Sequence, residues 1–206
     1  MSRMELKERN LKYKGHRVKV FEDVIKGPEG EMLYYDFVEN RNGSGVLLID
    51  EDGKLVFVKQ FRNALNGFDI EIPAGCAELK DISIEKSTSD ILTRSDEDYD
   101  RDLFLKEDNP FYQCAVREAE EETGLIPRKL CFVSFIIAAV GLFSERTAIY
   151  IGTDTVKGTI HRDSDEYIDI VRLTLDEAKM YINDGRIIDS KTIIAILAYE
   201  SMLLEK

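Results

Sequence analysis

The chain is short of positive charge. Across 206 residues, 28 lysines and arginines stand against 40 aspartates and glutamates, a formal net charge of −12. Proteins that grip a nucleic-acid backbone usually carry a basic face, so this balance argues against a nucleic-acid partner. Cysteine is scarce: Cys76, Cys114 and Cys131, with no CxxC pair. That pattern reads as free, buried thiols in a reducing compartment rather than a disulfide framework. Only two histidines occur, and His161 reads as a loop residue rather than a ligand. No apolar run approaches the roughly 20 residues needed to span a membrane. No N-terminal stretch has the basic, apolar, small-residue order of a signal peptide. No internal repeat is present. The expectation is a cytoplasmic protein with no membrane partner, long enough for one substantial domain, or for a domain with a small appendage.

What the chain does have is carboxylate in one place. Arg117-Glu118-Ala119-Glu120-Glu121-Glu122-Thr123-Gly124-Leu125 puts four glutamates into five positions. Asn109-Pro110 predicts a helix start, with proline at the first helical position. Gly124 predicts its stop. Phe111, Cys114, Ala115 and Ala119 recur at helical spacing, so one face packs inward. Glu118, Glu121 and Glu122 are then neighbours on one face, and Glu120 points to the other side. Like charges so placed repel by roughly a few tenths of a kcal/mol per pair. A hard divalent cation relieves that repulsion, and Mg²⁺ takes oxygen ligands and bridges to substrate phosphates.

Taken in order, the chain reads as strands, helix, strands and helices. Residues 1–42 suggest a small antiparallel sheet, with Arg17–Val24 and Met32–Val38 as strands around a Gly-Pro-Glu-Gly turn. Gly45–Asp50 and Lys54–Arg62 flank Asp52-Gly53, a hairpin signal. Phe68–Gly75 is a strand running into a loop. Residues 79–108 read as a solvated acidic insertion rich in serine and threonine. Lys129–Ala139 and Arg146–Gly152 follow as strands. Thr174-Leu175-Asp176-Glu177 is a capping box opening a helix that ends near Gly185. Asp189-Ser190 begins a final amphipathic helix.

The acidic stretch resembles the second half of the Nudix box, Arg-Glu-U-x-Glu-Glu-x-Gly-U with U apolar, and fills every fixed position. The first half departs from the family. Asn109 stands where its glutamate is expected and Leu103 where its glycine is expected. That glycine lies earlier, in Glu71-Ile72-Pro73-Ala74-Gly75, which resembles the opening of the box in the ADP-ribose pyrophosphatase branch. Glu78 fits a glutamate often found three residues later. Glu107 and Asp108 are the nearest replacements for the missing one. Val58-Lys59-Gln60-Phe61-Arg62 resembles a strand of the same branch.

The resemblance implies an α/β (α+β) fold: an α/β/α sandwich with a mixed sheet over 43–206, carrying the insertion, and an N-terminal sheet over 1–42 that pairs across a homodimer. It implies Mg²⁺, with Mn²⁺ as substitute, held by Glu118, Glu121, Glu122 and the Ala74 carbonyl. Arg62 would reach the diphosphate, and Glu145 in Gly141-Leu142-Phe143-Ser144-Glu145 would contact substrate. The catalytic carboxylates would be Glu121 and Glu166, the latter as base, with Asp165 second for that role. The expected reaction is hydrolysis of ADP-ribose or a related nucleoside diphosphate sugar to AMP, or another NMP, and a sugar phosphate. The alternatives are a GDP-mannose or UDP-sugar pyrophosphatase and, in another class, a nucleotide-sugar sensor without turnover.

Overall fold

The computed structural model describes residues 4–77, 101–161 and 167–205. The chain divides into two compact units, one of residues 1–42 with 137–146, the other of 43–136 with 147–206. In the smaller unit, β1 (Glu5–Lys14), β2 (Lys19–Lys26) and β3 (Met32–Glu39) form an antiparallel sheet in that order. The 137–146 segment runs beside β3: the Val38 N–H donates to Leu142 O, and the Ser144 N–H to Val38 O. Asp23, buried in β2, accepts both forks of Arg9 at 2.7 and 2.6 Å, and the Arg9 guanidinium lies over Phe37.

The larger unit is built on β4 (Gly43–Ile49), β5 (Leu55–Arg62), β6 (Gly67–Glu71), β7 (Ala74–Cys76), β8 (Leu125–Ile136), β9 (Thr147–Lys157) and β10 (Ile168–Leu173). The sheet order is β10-β5-β4-β9-β8, with β6 on β5 and β7 on β4. Among the described residues of this sheet only the β4–β9 pairing is parallel, so the sheet is mixed. Side chains alternate across a strand, and β4 shows it. Val46 and Leu48 pack with Phe111, Cys114, Ala115 and Ala119 of α1 (Pro110–Thr123). Leu47 and Ile49 pack on the other face with Ala178 of α2 (Leu175–Asn183) and Ala195 and Ile196 of α3 (Ser190–Leu204). One apolar run thus supplies two cores, the expected sandwich. Pro127 sits in β8, where an edge position tolerates its missing N–H.

Three findings differ from the sequence reading. Strand β8 begins at Leu125, directly after α1, rather than near residue 129. Residues 101–105 form a short 3-10 helix whose Phe104 is buried between Phe132 at 4.9 Å and Phe135 at 4.5 Å, although the sequence placed them in the solvated insertion. Cys114 is a buried thiol as expected, but Cys76 and Cys131 are exposed.

Candidate active site

The local signals in α1 fix which way its carboxylates face. The Asn109 side chain accepts the Phe111 N–H at 2.9 Å, capping a helix that starts on Pro110. At the other end Gly124 takes φ 71°, a left-handed conformation that a side chain resists, and closes the helix onto Glu120 O. With Phe111, Cys114, Ala115 and Ala119 buried against the sheet, Glu118 and Glu122 are carried under the protein surface beside them, 9% and 3% exposed.

The partner of this face is β7, three residues long, and each of its residues touches α1. The Ala74 N–H donates to Glu122 Oε2 at 3.2 Å. Gly75 lies directly against Glu118: a Cβ built there would fall 1.9 Å from Glu118 Oε1, so only glycine allows this approach. The Cys114 thiol donates to Gly75 O at 3.3 Å, and burial pushes that thiol's pKa up to about 12, keeping it a neutral donor. The Cys76 carbonyl accepts from Arg117 Nη2 at 3.1 Å.

Arg117 also binds two of the glutamates. Its Nη2 lies 2.7 Å from Glu118 Oε1 and its Nη1 2.6 Å from Glu121 Oε2. Burial opposes the guanidinium's charge, but the neighbouring carboxylates, Glu118 foremost, outweigh it and hold its pKa above the ordinary value. The repulsion expected among three carboxylates is therefore relieved in part by the arginine that opens the motif. Among the described residues no three acidic, histidine or cysteine side chains converge into a ready-made cation cage. Glu120, on the other side, accepts the Thr159 N–H at 3.1 Å and ties α1 to the chain leaving β9.

Arg62 ends β5 beside this face, close enough for Glu122 to act on its charge. It is committed on one edge: Nε and Nη2 donate to Glu71 Oε1 and Oε2 at 2.5 and 2.7 Å. Glu71 is buried and takes a third bond, from Lys191 Nζ at 2.6 Å. Burial alone would raise the Glu71 carboxyl, but the Arg62 hydrogen bond and the charges of Lys191 and Arg62 together hold it below the usual carboxylate range. Lys191 lies 3.0 Å from Asp189, the N-cap of α3. The sequence reading gave Glu71 no role of its own and did not single out Lys191. A signal was present: Lys191 stands in the first turn of a helix, where the helix dipole disfavours a cation.

Of the expected site residues, the larger unit gathers Ala74, Glu118, Glu121 and Glu122 about β7 and the C-terminal half of α1, with Arg62 nearby. Glu145 belongs to the smaller unit, where it accepts a hydrogen bond from Asn40 Nδ2. Glu78, Asp165, Glu166 and most of the 79–108 stretch lie outside the described residues.

Relatives bear on this arrangement. A family model described as NUDIX domain matches residues 104–191. The chain is 30% identical over 186 residues to the methanol dehydrogenase activator of Bacillus methanolicus, covering 89% of this chain and 85% of that protein. It is 25% identical over 186 residues to the ADP-ribose pyrophosphatase of Bacillus subtilis (strain 168), with the same coverage of 89% and 85%. The crystal structure of an ADP compounds hydrolase shares the fold, with a TM-score of 0.74 over 98% of this chain and 95% of that one, at 16% identity.

Proposed function

The chain belongs to the Nudix hydrolase family, and on that premise we propose that it hydrolyses the diphosphate bond of ADP-ribose or a related nucleoside diphosphate sugar. Water adds to one phosphorus and the bridging oxygen leaves with the other. The products are a nucleoside monophosphate (AMP from ADP-ribose) and a sugar phosphate. The observation that carries this reading is the pair of buried carboxylates, Glu118 and Glu122, one helical turn apart against the Ala74-Gly75 backbone. Burying carboxylates away from water is unfavourable unless charge or hydrogen bonds compensate. A bound divalent cation would add to that compensation.

The donor set suits a hard cation, since it consists of carboxylate and carbonyl oxygens. Mg²⁺ is held through one or two carboxylates with substrate phosphates completing its shell, rather than in an all-protein cage. Glu118, Glu121, Glu122 and the Ala74 carbonyl would hold Mg²⁺, with Mn²⁺ as a substitute, and the bound metal supplies polarisation of the diphosphate and an acidified water. Arg62 presents its second edge to phosphate oxygens, the geometry in which arginine binds them best. Glu166 is the proposed base, Glu121 the second catalytic carboxylate, and Glu145 a substrate contact.

The test is a hydrolysis panel in Mg²⁺: ADP-ribose, GDP-mannose, UDP-glucose, NADH and diadenosine polyphosphates, each with EDTA. AMP release from ADP-ribose, abolished by EDTA and restored by Mg²⁺, supports the reading. Turnover confined to GDP-mannose or UDP-glucose keeps the chemistry and moves the substrate. Binding without turnover across the panel favours a sensor. A second reading draws on the relative at 30% identity: the same hydrolytic site acts as an activator of a dehydrogenase. Stimulation of methanol dehydrogenase by this chain, lost in Glu122→Gln, supports it.

We further propose a cytoplasmic homodimer paired through the smaller unit's sheet. Leu6, Leu11, Tyr13 and Tyr34 are large apolar side chains exposed there, and exposed apolar surface of this kind marks interaction sites. No helix among the described residues is long and apolar enough to cross a membrane. Light scattering behind size exclusion reads the mass directly; a monomer at micromolar concentration refutes the pairing.

A further inference from the structure

The proposed phosphate arm stands on a charge network that reaches beyond the motifs to Lys191 of α3. Glu71 accepts three hydrogen bonds from two cations, Arg62 of β5 and Lys191 of α3. The α3 turn holding Lys191 is itself tied down. Asp189 accepts the Thr192 N–H at 2.9 Å and its hydroxyl at 2.6 Å, and Thr192 Oγ1 accepts the Ile72 N–H at 2.9 Å. Strand end and helix start are thereby locked residue against residue, Glu71 to Lys191 and Ile72 to Thr192.

Exposure decides what this lock is for. The side chains of Glu71 and Lys191 are 4% and 16% exposed, whereas that of Arg62 is 39% exposed. A buried pair supports a half-exposed fork. Guanidinium is planar, and its Nε–Nη2 edge is bound to Glu71, so the plane of the carboxylate sets the direction of the remaining edge. Lys191 occupies Glu71 Oε2 and so restrains that plane.

We propose that Lys191 is a positioning residue for the diphosphate arm: it fixes the Glu71 carboxylate, and through it the edge of Arg62 that meets a nucleoside diphosphate. The inference rests on the hydrolytic reading above. It predicts that Lys191 acts through Arg62 and has no effect on substrate once Arg62 is gone.

The experiment is a double-mutant cycle on ADP-ribose hydrolysis in Mg²⁺, using Lys191→Met, Arg62→Ala and the pair, with Lys191→Arg as rescue and Tm for each. Lys191→Met is expected to raise KM about tenfold with kcat within about threefold, a coupling of the size seen for residues in one network. Lys191→Arg restores most of KM, and the double variant is no worse than Arg62→Ala alone. An equal loss in both backgrounds, or an unchanged KM in a folded Lys191→Met, overturns the proposal. If Lys191→Met does not fold, Lys191→Gln carries the same cycle, because it removes the ammonium while leaving both Glu71 oxygens to Arg62. An unchanged KM there is equally fatal. Wild-type silence on the whole panel overturns the function and this inference together, whereas additivity in an active enzyme overturns the inference alone.

Discussion

Two charge clusters lie side by side in the larger unit, and they are balanced differently. At the start of α3, two cations, Arg62 and Lys191, face two carboxylates, Glu71 and Asp189, in direct contact. On α1, Glu118, Glu121 and Glu122 share one helical face, with Arg117 in contact with the first two. The first cluster satisfies itself and needs nothing from solution. The second sets three carboxylates together on one helical face, two of them buried. A closed network positions; an open one binds. The difference teaches where to look for ligand chemistry in a site made of salt bridges.

The sharpest way to break the comparison is to close the open cluster artificially. Glu122→Gln removes one charge while keeping an amide oxygen for the Ala74 N–H. Turnover in Mg²⁺ should fall on the order of a hundredfold or more, since bound metal supplies several kcal/mol of transition-state stabilisation. Tm for this variant checks that the fold is kept. Wild-type rates in this variant would mean that α1 does not hold the metal. Gly75→Ala attacks the same cluster from the backbone side. Its Cβ would lie 1.9 Å from Glu118 Oε1, so the glutamate must leave its place. We expect about a tenfold loss in activity with a smaller change in stability, because the atoms displaced are the far end of the Glu118 side chain.

The open cluster was legible in the sequence because it is local. Asn109-Pro110, Gly124 and the spacing of Phe111, Cys114, Ala115 and Ala119 fall within one helix, and together they fix where Glu118 and Glu122 point. The Thr174–Glu177 capping box was legible for the same reason, and both of its reciprocal bonds are present. The closed cluster was not. Glu71 and Lys191 are 120 residues apart, and no periodicity links a strand end to a helix start across that distance. Phe104 was hidden by its neighbours: an isolated phenylalanine in an acidic stretch carries no pattern, yet it joins the aromatic core. Strand β1 was the least visible, since all ten of its residues are exposed and it shows no alternation of inside and outside.

Acid and base should unmake the closed cluster from opposite sides. The folded Glu71 carboxyl sits below the ordinary carboxylate value of 4.5. Its contribution is therefore present above about pH 4.5 and is lost as pH falls through the lower folded value. Burial lowers the Lys191 ammonium, but Glu71 and Asp189 outweigh it, so its folded pKa lies above 10.5. That contribution is complete below 10.5 and is lost as pH rises through the folded value. Tm of the wild type should stay level between these limits and drop beyond each. Lys191→Met should lose the alkaline limb specifically, with a drop of about 2–4 °C in the plateau for each kcal/mol lost in a chain of this length. An unchanged alkaline limb would show that Lys191 does not feel the charges around it.

The smallest effect belongs to a pair outside both clusters. Lys129 and Asp154 approach within 3.8 Å across β8 and β9, but their side chains are 75% and 51% exposed. Water and salt screen such a pair, and holding two long side chains together costs entropy, so exposed pairs contribute about 0.2–1 kcal/mol at most. Lys129→Ala should leave both kcat/KM and Tm within measurement error, and raising salt should not change that. A loss comparable to that of Lys191→Met would mean that burial is not what separates a positioning salt bridge from an idle one, and the contrast between closed and open clusters would need another physical basis.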